Sequence, residues 1–140
     1  LGYKIFSRDD YKTSTTYNKE LTEALESKEN IVLANTHPDL ASRVQWVARA
    51  QKLGYKHIRC LIIGTSIQLA FHLNNVRMLY TGNEKLGPIP YFKFRKMWLA
   101  PSKDEGFDKI EMLRWRIDPK LFKDERWKKA FFTYSEGIKG

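Results

Sequence analysis

Sulfur and imidazole chemistry is nearly absent from this chain: one cysteine and three histidines stand among 140 residues. A lone Cys60 excludes an internal disulfide framework and any cysteine metal centre, and its place in the apolar run Ile58 to Ile63 marks it as core filling. His37, His57 and His72 show no metal-ligand spacing, so capping or surface roles suit them better. Long hydrophobic runs are missing too. None approaches the roughly 20 residues of a bilayer-spanning helix, and no membrane partner is expected. The chain opens at Leu1 without the basic start and apolar centre of a signal peptide, and it reads as the inside edge of a longer protein. Acidic residues are in short supply: sixteen Asp and Glu against twenty-five Lys and Arg leave a net charge of +9. A surplus of that size favours polyanions, nucleic acid foremost, although it also serves solubility.

What is present is enough for one domain with a real core and little for a second. Tyr3 to Phe6 alternates polar with apolar before Ser7-Arg8-Asp9-Asp10, which predicts a short strand and a charged turn with Asp9 as a cap or turn residue. From Ser14 to Ser27, Tyr17, Leu21, Ala24 and Leu25 fall on one face of an amphipathic helix. The apolar residues of Asn30 to Ala34 run without alternation, as in a strand covered on both faces, and Asn35-Thr36 ends it. A helix opens at Pro38-Asp39 and closes at Gly54. It carries Leu40, Val44, Val47, Ala50 and Leu53 on one side, with Arg43, Gln45, Trp46 and Arg49 on a solvated one. Ile58 to Ile63 is the next strand, and Gly64-Thr65-Ser66 leads into a helix reaching Met78, on which Asn74 and Arg77 share a face.

Thr81 to Pro90 is a long turn-rich connection. Tyr91 to Trp98 is expected as a short helix covering the core with Phe92, Phe94 and Trp98, although its Lys93, Arg95 and Lys96 interleave with aromatics as single-stranded nucleic acid also requires. Ile110 to Ile117 reads as a strand, Asp118 to Lys129 as a surface excursion and Ala130 to Tyr134 as an edge strand. Residues 29 to 77 thus form a βαβα unit. Ligands gather where the strands of such units end, which directs attention to Asn35, Thr36 and Arg77.

Several segments then add up to more than a pattern. Gly2-Tyr3 with Ser7-Arg8-Asp9, Asn35-Thr36-His37-Pro38-Asp39 with Ala41-Ser42-Arg43, Arg59-Cys60, Ala70-Phe71-His72 through Asn74 and Arg77, Phe94-Arg95-Lys96, Ala100-Pro101 and Glu105-Gly106-Phe107 occur in one order. Together they resemble the kinase domain of the polynucleotide kinase 3′-phosphatase family, the animal DNA-repair enzymes in particular. The likeness runs to about Trp115 and, more weakly, to Tyr134-Ser135-Glu136-Gly137.

The resemblance implies an α/β domain of the P-loop kinase type, with a mainly parallel sheet flanked by helices and lacking its first strand and phosphate loop. Residues 1–140 would be one partial kinase domain. Its parent would be an ATP-dependent polynucleotide 5′-hydroxyl kinase of DNA end repair, usually fused to a 3′-phosphatase and nuclear. ATP and Mg²⁺ would be its cofactors. Its partners would be nucleic acid with 5′-hydroxyl ends, DNA favoured, and DNA-repair scaffold proteins bound through upstream regions. By position, Asp9 matches the general base and Arg77 the lid arginine that neutralises charge on the transferring phosphoryl group. Arg8, Asn35, Thr36 and Arg43 fall at the substrate, Asn74 supports them, and no metal ligand is implied.

The departures are specific. None of the eight glycines precedes a Lys-Ser or Lys-Thr pair, so the phosphate loop G-x-x-x-x-G-K-[ST] is not in these residues. In the family it lies just upstream of the position of Leu1, and the 140 residues alone are expected to be inactive. Ala34 stands where the repair enzymes carry Asp, and Gln45 and Phe71 where they carry basic residues. Those changes keep open a catalytically weakened or inactive nucleic-acid-binding homologue. A small-molecule P-loop kinase is a third alternative, against which the broad positive charge argues.

Overall fold

A computed structural model of the chain describes residues 2–82, 86–114, 116 and 118–135. Strands β1 (Lys4–Phe6), β2 (Ile31–Leu33), β3 (Arg59–Gly64) and β4 (Lys109–Arg114) alternate with helices α1 (Ser14–Glu26), α2 (Leu40–Lys52), α3 (Ile67–Thr81), α4 (Ile89–Met97) and α5 (Glu125–Ser135). Short 3-10 turns cover Arg8–Asp10, Lys103–Glu105 and Pro119–Leu121. The chain divides into two compact units, one of residues up to Cys60 with Leu99–Ile110, the other of Leu61–Trp98 and the residues from Glu111 onward.

In the first unit β1 and β2 pair in parallel, Lys4 opposite Ile31 and Phe6 opposite Leu33. Parallel neighbours need a crossover, and α1 supplies it. Thr13 caps that helix by accepting from the Thr16 N–H at 3.2 Å. Phe6, Tyr17, Leu21, Ala24 and Leu25 are buried together, with Ile31 and Leu33 packed against them. Tyr17 meets both Phe6 and Tyr11 edge-on, at 6.4 and 5.4 Å between ring centres, contacts worth about 0.5–1.5 kcal/mol each beyond their buried area. Alternate strand residues point the other way: Ile5 and Val32 are exposed. The expectation that β2 is covered on both faces is therefore corrected, since only its Ile31 and Leu33 side carries the core.

Helix α2 starts at Leu40 rather than at Pro38-Asp39, with Asp39 capping it by accepting from the Ser42 N–H at 2.8 Å. Its burial is rotated from the expected face. Arg43 and Val47 are buried while Leu40 and Val44 are exposed, because Arg43 finds a charged partner inside the fold. Trp46, placed on the solvated side, is half-buried against the α1 core.

Strands β3 and β4 form a second two-stranded sheet. Asp108 donates to the Ile58 carbonyl, and a Cβ at Gly64 would lie 3.1 Å from the Leu113 carbonyl oxygen. The pair is thus parallel. Among the described residues the architecture is mixed α/β with two parallel strand pairs, rather than one central sheet.

In the second unit Ser66 caps α3 by accepting from the Leu69 N–H at 3.1 Å, and Gly82 ends it at φ +66°, a left-handed turn that glycine adopts without strain. Helix α3 packs on α5 and α4. His72, Val76 and Phe131 are buried there, with the His72 and Phe131 rings 5.0 Å apart. Helix α5 corrects two expectations: Ala130 to Tyr134 is helical rather than an edge strand, and the charged stretch before it already belongs to the helix from Glu125. Phe131 sits in the core only on that helical spacing. Helix α4 forms where expected but covers less. Phe94 is half-buried, whereas Phe92 and Trp98 are exposed and the Arg95 guanidinium lies 5.3 Å from the Phe92 ring. The middle of the Thr81–Pro90 connection, the last strand residues expected at Trp115 and Ile117, and the resemblance at Glu136-Gly137 lie outside the described residues.

Candidate active site

Strand β1 runs directly into the 3-10 turn of Arg8–Asp10, where Ser7 closes the turn by accepting from the Asp9 N–H at 3.4 Å. This leaves Asp9 exposed at the carboxyl end of a parallel strand. Asn35, at the end of β2, holds the same point from the neighbouring strand. Its Oδ1 accepts the Arg8 N–H at 2.9 Å, and its Nδ2 donates to the Tyr17 hydroxyl at 3.2 Å. Both ends of the amide are used, so its orientation is set by partners on the 3-10 turn and α1. The Arg8 guanidinium bends back, Nη1 donating to the Tyr11 carbonyl at 2.6 Å and Nη2 to Ser14 Oγ at 3.0 Å. Thr36 is exposed next to Asn35, and Ala34 anchors the strand end by donating to the Phe6 carbonyl at 2.9 Å.

Arg43 lies deeper. Its Nε and Nη2 form a two-pronged bond to Glu105 at 2.7 and 2.8 Å, with both side chains under 5% exposed. Nη1 donates to the Leu99 carbonyl at 2.9 Å and the His37 carbonyl at 3.2 Å. The residue expected at the substrate thus directs its guanidinium into the fold. Glu105 also accepts the Ser102 N–H at 2.9 Å. Removing one partner of such a pair strands a buried charge, so Glu105→Ala is expected to destabilise the complete protein by about 3–5 kcal/mol at neutral pH.

The hydrogen bonds from Arg43, opposed by burial, hold the Glu105 carboxyl below its ordinary value. A lowered folded pKa means that this stabilisation is complete above the unfolded carboxyl value and is lost as pH falls through the folded one. Thermal melts of wild type and Glu105→Ala should therefore differ most near neutral pH and converge in acid; a gap independent of pH would contradict this. Burial likewise pushes the Cys60 thiol up, against the nearby Arg43 charge, which keeps it protonated and inert.

In the second unit Asn74 and Arg77 meet as their spacing predicts, Arg77 Nη2 donating to Asn74 Oδ1 at 3.0 Å. Asn74 is buried and its Nδ2 has no hydrogen-bond partner among the described residues, whereas Arg77 is exposed. Both line a pocket of about 350 Å³ with Thr65, Ala70, Leu73, Leu86 and Tyr91. Burial raises the Tyr91 phenol while the Arg77 charge works against it. The pocket therefore offers apolar walls, one ring and one cation. Among the described residues no group of three or more His, Cys, Asp or Glu is placed to hold a metal ion.

Comparison with known proteins gives these residues a lineage. The chain is 36% identical over 137 residues to a protein of Acanthamoeba polyphaga mimivirus named as a bifunctional polynucleotide phosphatase/kinase, an alignment covering 96% of the chain and 32% of the viral protein. It is also 32% identical over 110 residues to the bifunctional polynucleotide phosphatase/kinase of Schizosaccharomyces pombe, covering 79% of the chain and 27% of that protein. The chain is related to the bifunctional polynucleotide phosphatase/kinases. It spans 32% and 27% of the lengths of these two relatives, and no family model matches it.

Within this phosphatase/kinase-related chain the expected site residues fall into two groups. Arg8, Asp9, Asn35, Thr36 and Arg43 belong to the first unit, Asn74 and Arg77 to the second. Sequence reasoning assigned Tyr17 and Tyr91 no site role, and Glu105 only a place in the Glu105-Gly106-Phe107 segment of the resemblance. Tyr17 carried only a core signal, and Glu105 stands 62 positions from the arginine it holds.

Proposed function

We propose that the chain is the C-terminal part of an ATP-dependent polynucleotide 5′-hydroxyl kinase of DNA end repair, fused in its parent to a 3′-phosphatase. Its fold would be of the P-loop kinase type, with the phosphate loop and first strand supplied from outside these residues. The names of the two phosphatase/kinase relatives and the net charge of +9 support this reading. The observation that carries it is the Arg8 N–H to Asn35 bond. That bond ties the turn after β1 to the residues following β2, and ligands of α/β sheets gather beyond the carboxyl ends of parallel strands, which supports Asp9 as a reacting group.

In the proposed reaction the 5′-hydroxyl oxygen attacks the γ-phosphorus, its proton passes to the Asp9 carboxylate, and the bond to the bridging oxygen breaks with release of ADP. Arg77 neutralises charge building on the phosphoryl oxygens. The pocket beside it, with Leu73, Leu86 and Tyr91 in its wall, is the proposed seat of the nucleotide. Mg²⁺ would assist by neutralising charge on the phosphate groups. Nuclear location and repair-scaffold partners belong to the same reading, through regions beyond this chain.

A second reading, a nucleic-acid-binding homologue without turnover, is favoured by Ala34, an uncharged residue at the strand end beside Asn35. Complete protein incubated with γ-labelled ATP and a 5′-hydroxyl oligonucleotide should yield labelled 5′-phosphate, blocked by competing oligonucleotide and not by nucleoside. Salt-sensitive oligonucleotide binding with no labelled product would overturn the kinase reading in favour of the second.

A further inference from the structure

The buried ion pair of the first unit has no role in the chemistry just described, yet it grips the turn that carries Asn35. We infer that Arg43 and Glu105 are positioning residues: together they clamp the Asn35–Asp39 turn and, through Asn35, fix the backbone of Arg8 beside Asp9. This rests on the kinase reading for its functional consequence, while the clamp itself rests on geometry.

The turn needs an external hold. His37 sits at φ +38°, a left-handed conformation that a side chain with a Cβ adopts only when its surroundings impose it. Two contacts do so. Arg43 Nη1 donates to the His37 carbonyl itself, and the Leu99 N–H donates to the next carbonyl, Pro38, at 2.8 Å. The same Nη1 bonds the Leu99 carbonyl, so one guanidinium edge ties the turn and the 99–105 segment together. Its other edge is locked by both Glu105 oxygens.

Glu105 in turn has little freedom. Gly106 stands at φ +97° with its Cα pressed on α2; a Cβ there would lie 2.6 Å from Gln51 Nε2 and 2.9 Å from Val47 Cγ1. Two residues before His37, Asn35 hands this rigidity to the 3-10 turn that carries Asp9, through the Arg8 N–H. Stability alone is a poor reason for such a pair, because well-packed apolar residues of similar volume usually serve as well. What apolar residues cannot supply is the directed donor to two carbonyls.

That difference separates positioning from support. In the complete protein the double variant Arg43→Met, Glu105→Leu should keep its Tm yet lose about 10- to 100-fold in kcat, with KM for ATP within about twofold of wild type. Arg43→Lys, which keeps the charge but not the fork, should fall between the two. A folded double variant or lysine variant with wild-type kcat would overturn the inference. If the double variant does not fold, Arg43→Lys decides alone, by kcat and by faster hydrogen exchange of the Thr36, His37 and Asp39 amides. Wild-type protein that transfers no phosphate would refute the kinase reading instead, and unchanged exchange in Arg43→Lys would then refute the clamp.

Discussion

Asn in place of Asp9 is expected to slow phosphoryl transfer about 10²- to 10⁴-fold, the usual contribution of a placed general base, with ATP affinity retained. The substitution keeps shape and removes the proton acceptor. It also leaves the scaffold alone, because the backbone of the turn is fixed by other groups: Ser7 Oγ on the Asp9 N–H and Asn35 Oδ1 on the Arg8 N–H. The Asp9 side chain is exposed and Tm should not move. Single-turnover rates alongside equilibrium ATP binding separate the two effects. Undiminished transfer by Asp9→Asn removes the residue from the mechanism.

Arg77→Ala should cost about 10²- to 10³-fold in kcat, the range for losing one preorganised donor to developing charge. The structural reason is the tether. Asn74, buried on the preceding turn of α3, accepts from one guanidinium nitrogen and so aims a side chain that is otherwise exposed. A lysine keeps the charge without the planar fork and should recover only part of the rate. Asn74→Ala, which removes the tether and leaves the charge, should be milder than Arg77→Ala. Added guanidinium ion should raise the rate of Arg77→Ala and not that of Asp9→Asn. Wild-type turnover by Arg77→Lys would show that a fork is not needed there.

Much of the scaffold around these residues was legible from local chemistry. The step of Tyr17, Leu21, Ala24 and Leu25 gave the buried face of α1, Asp39 announced the start of α2, and the three-residue spacing of Asn74 and Arg77 gave their contact. What escaped the sequence was set by distant partners. Arg43 looked solvated because charge normally faces water, and only Glu105, far along the chain, makes its burial possible. Phe131-Phe132-Thr133-Tyr134 looked like a strand because those residues favour one; packing of Phe131 on His72 and Phe122 decided for helix. The left-handed His37 had no local signal, since neither glycine nor asparagine marks it. The pocket on α3 combines residues from Thr65 to Tyr91 whose convergence requires α4 to fold back on α3.

A double-mutant cycle at positions 9 and 77 in the complete protein, read as single-turnover transfer of labelled γ-phosphate to a 5′-hydroxyl oligonucleotide, tests the proposed chemistry most directly. If both side chains serve one transition state, the Asp9→Asn, Arg77→Ala double variant should be little slower than the worse single variant, because groups acting as a unit do not add. Losses that multiply, or wild-type protein that transfers no phosphate, would contradict it.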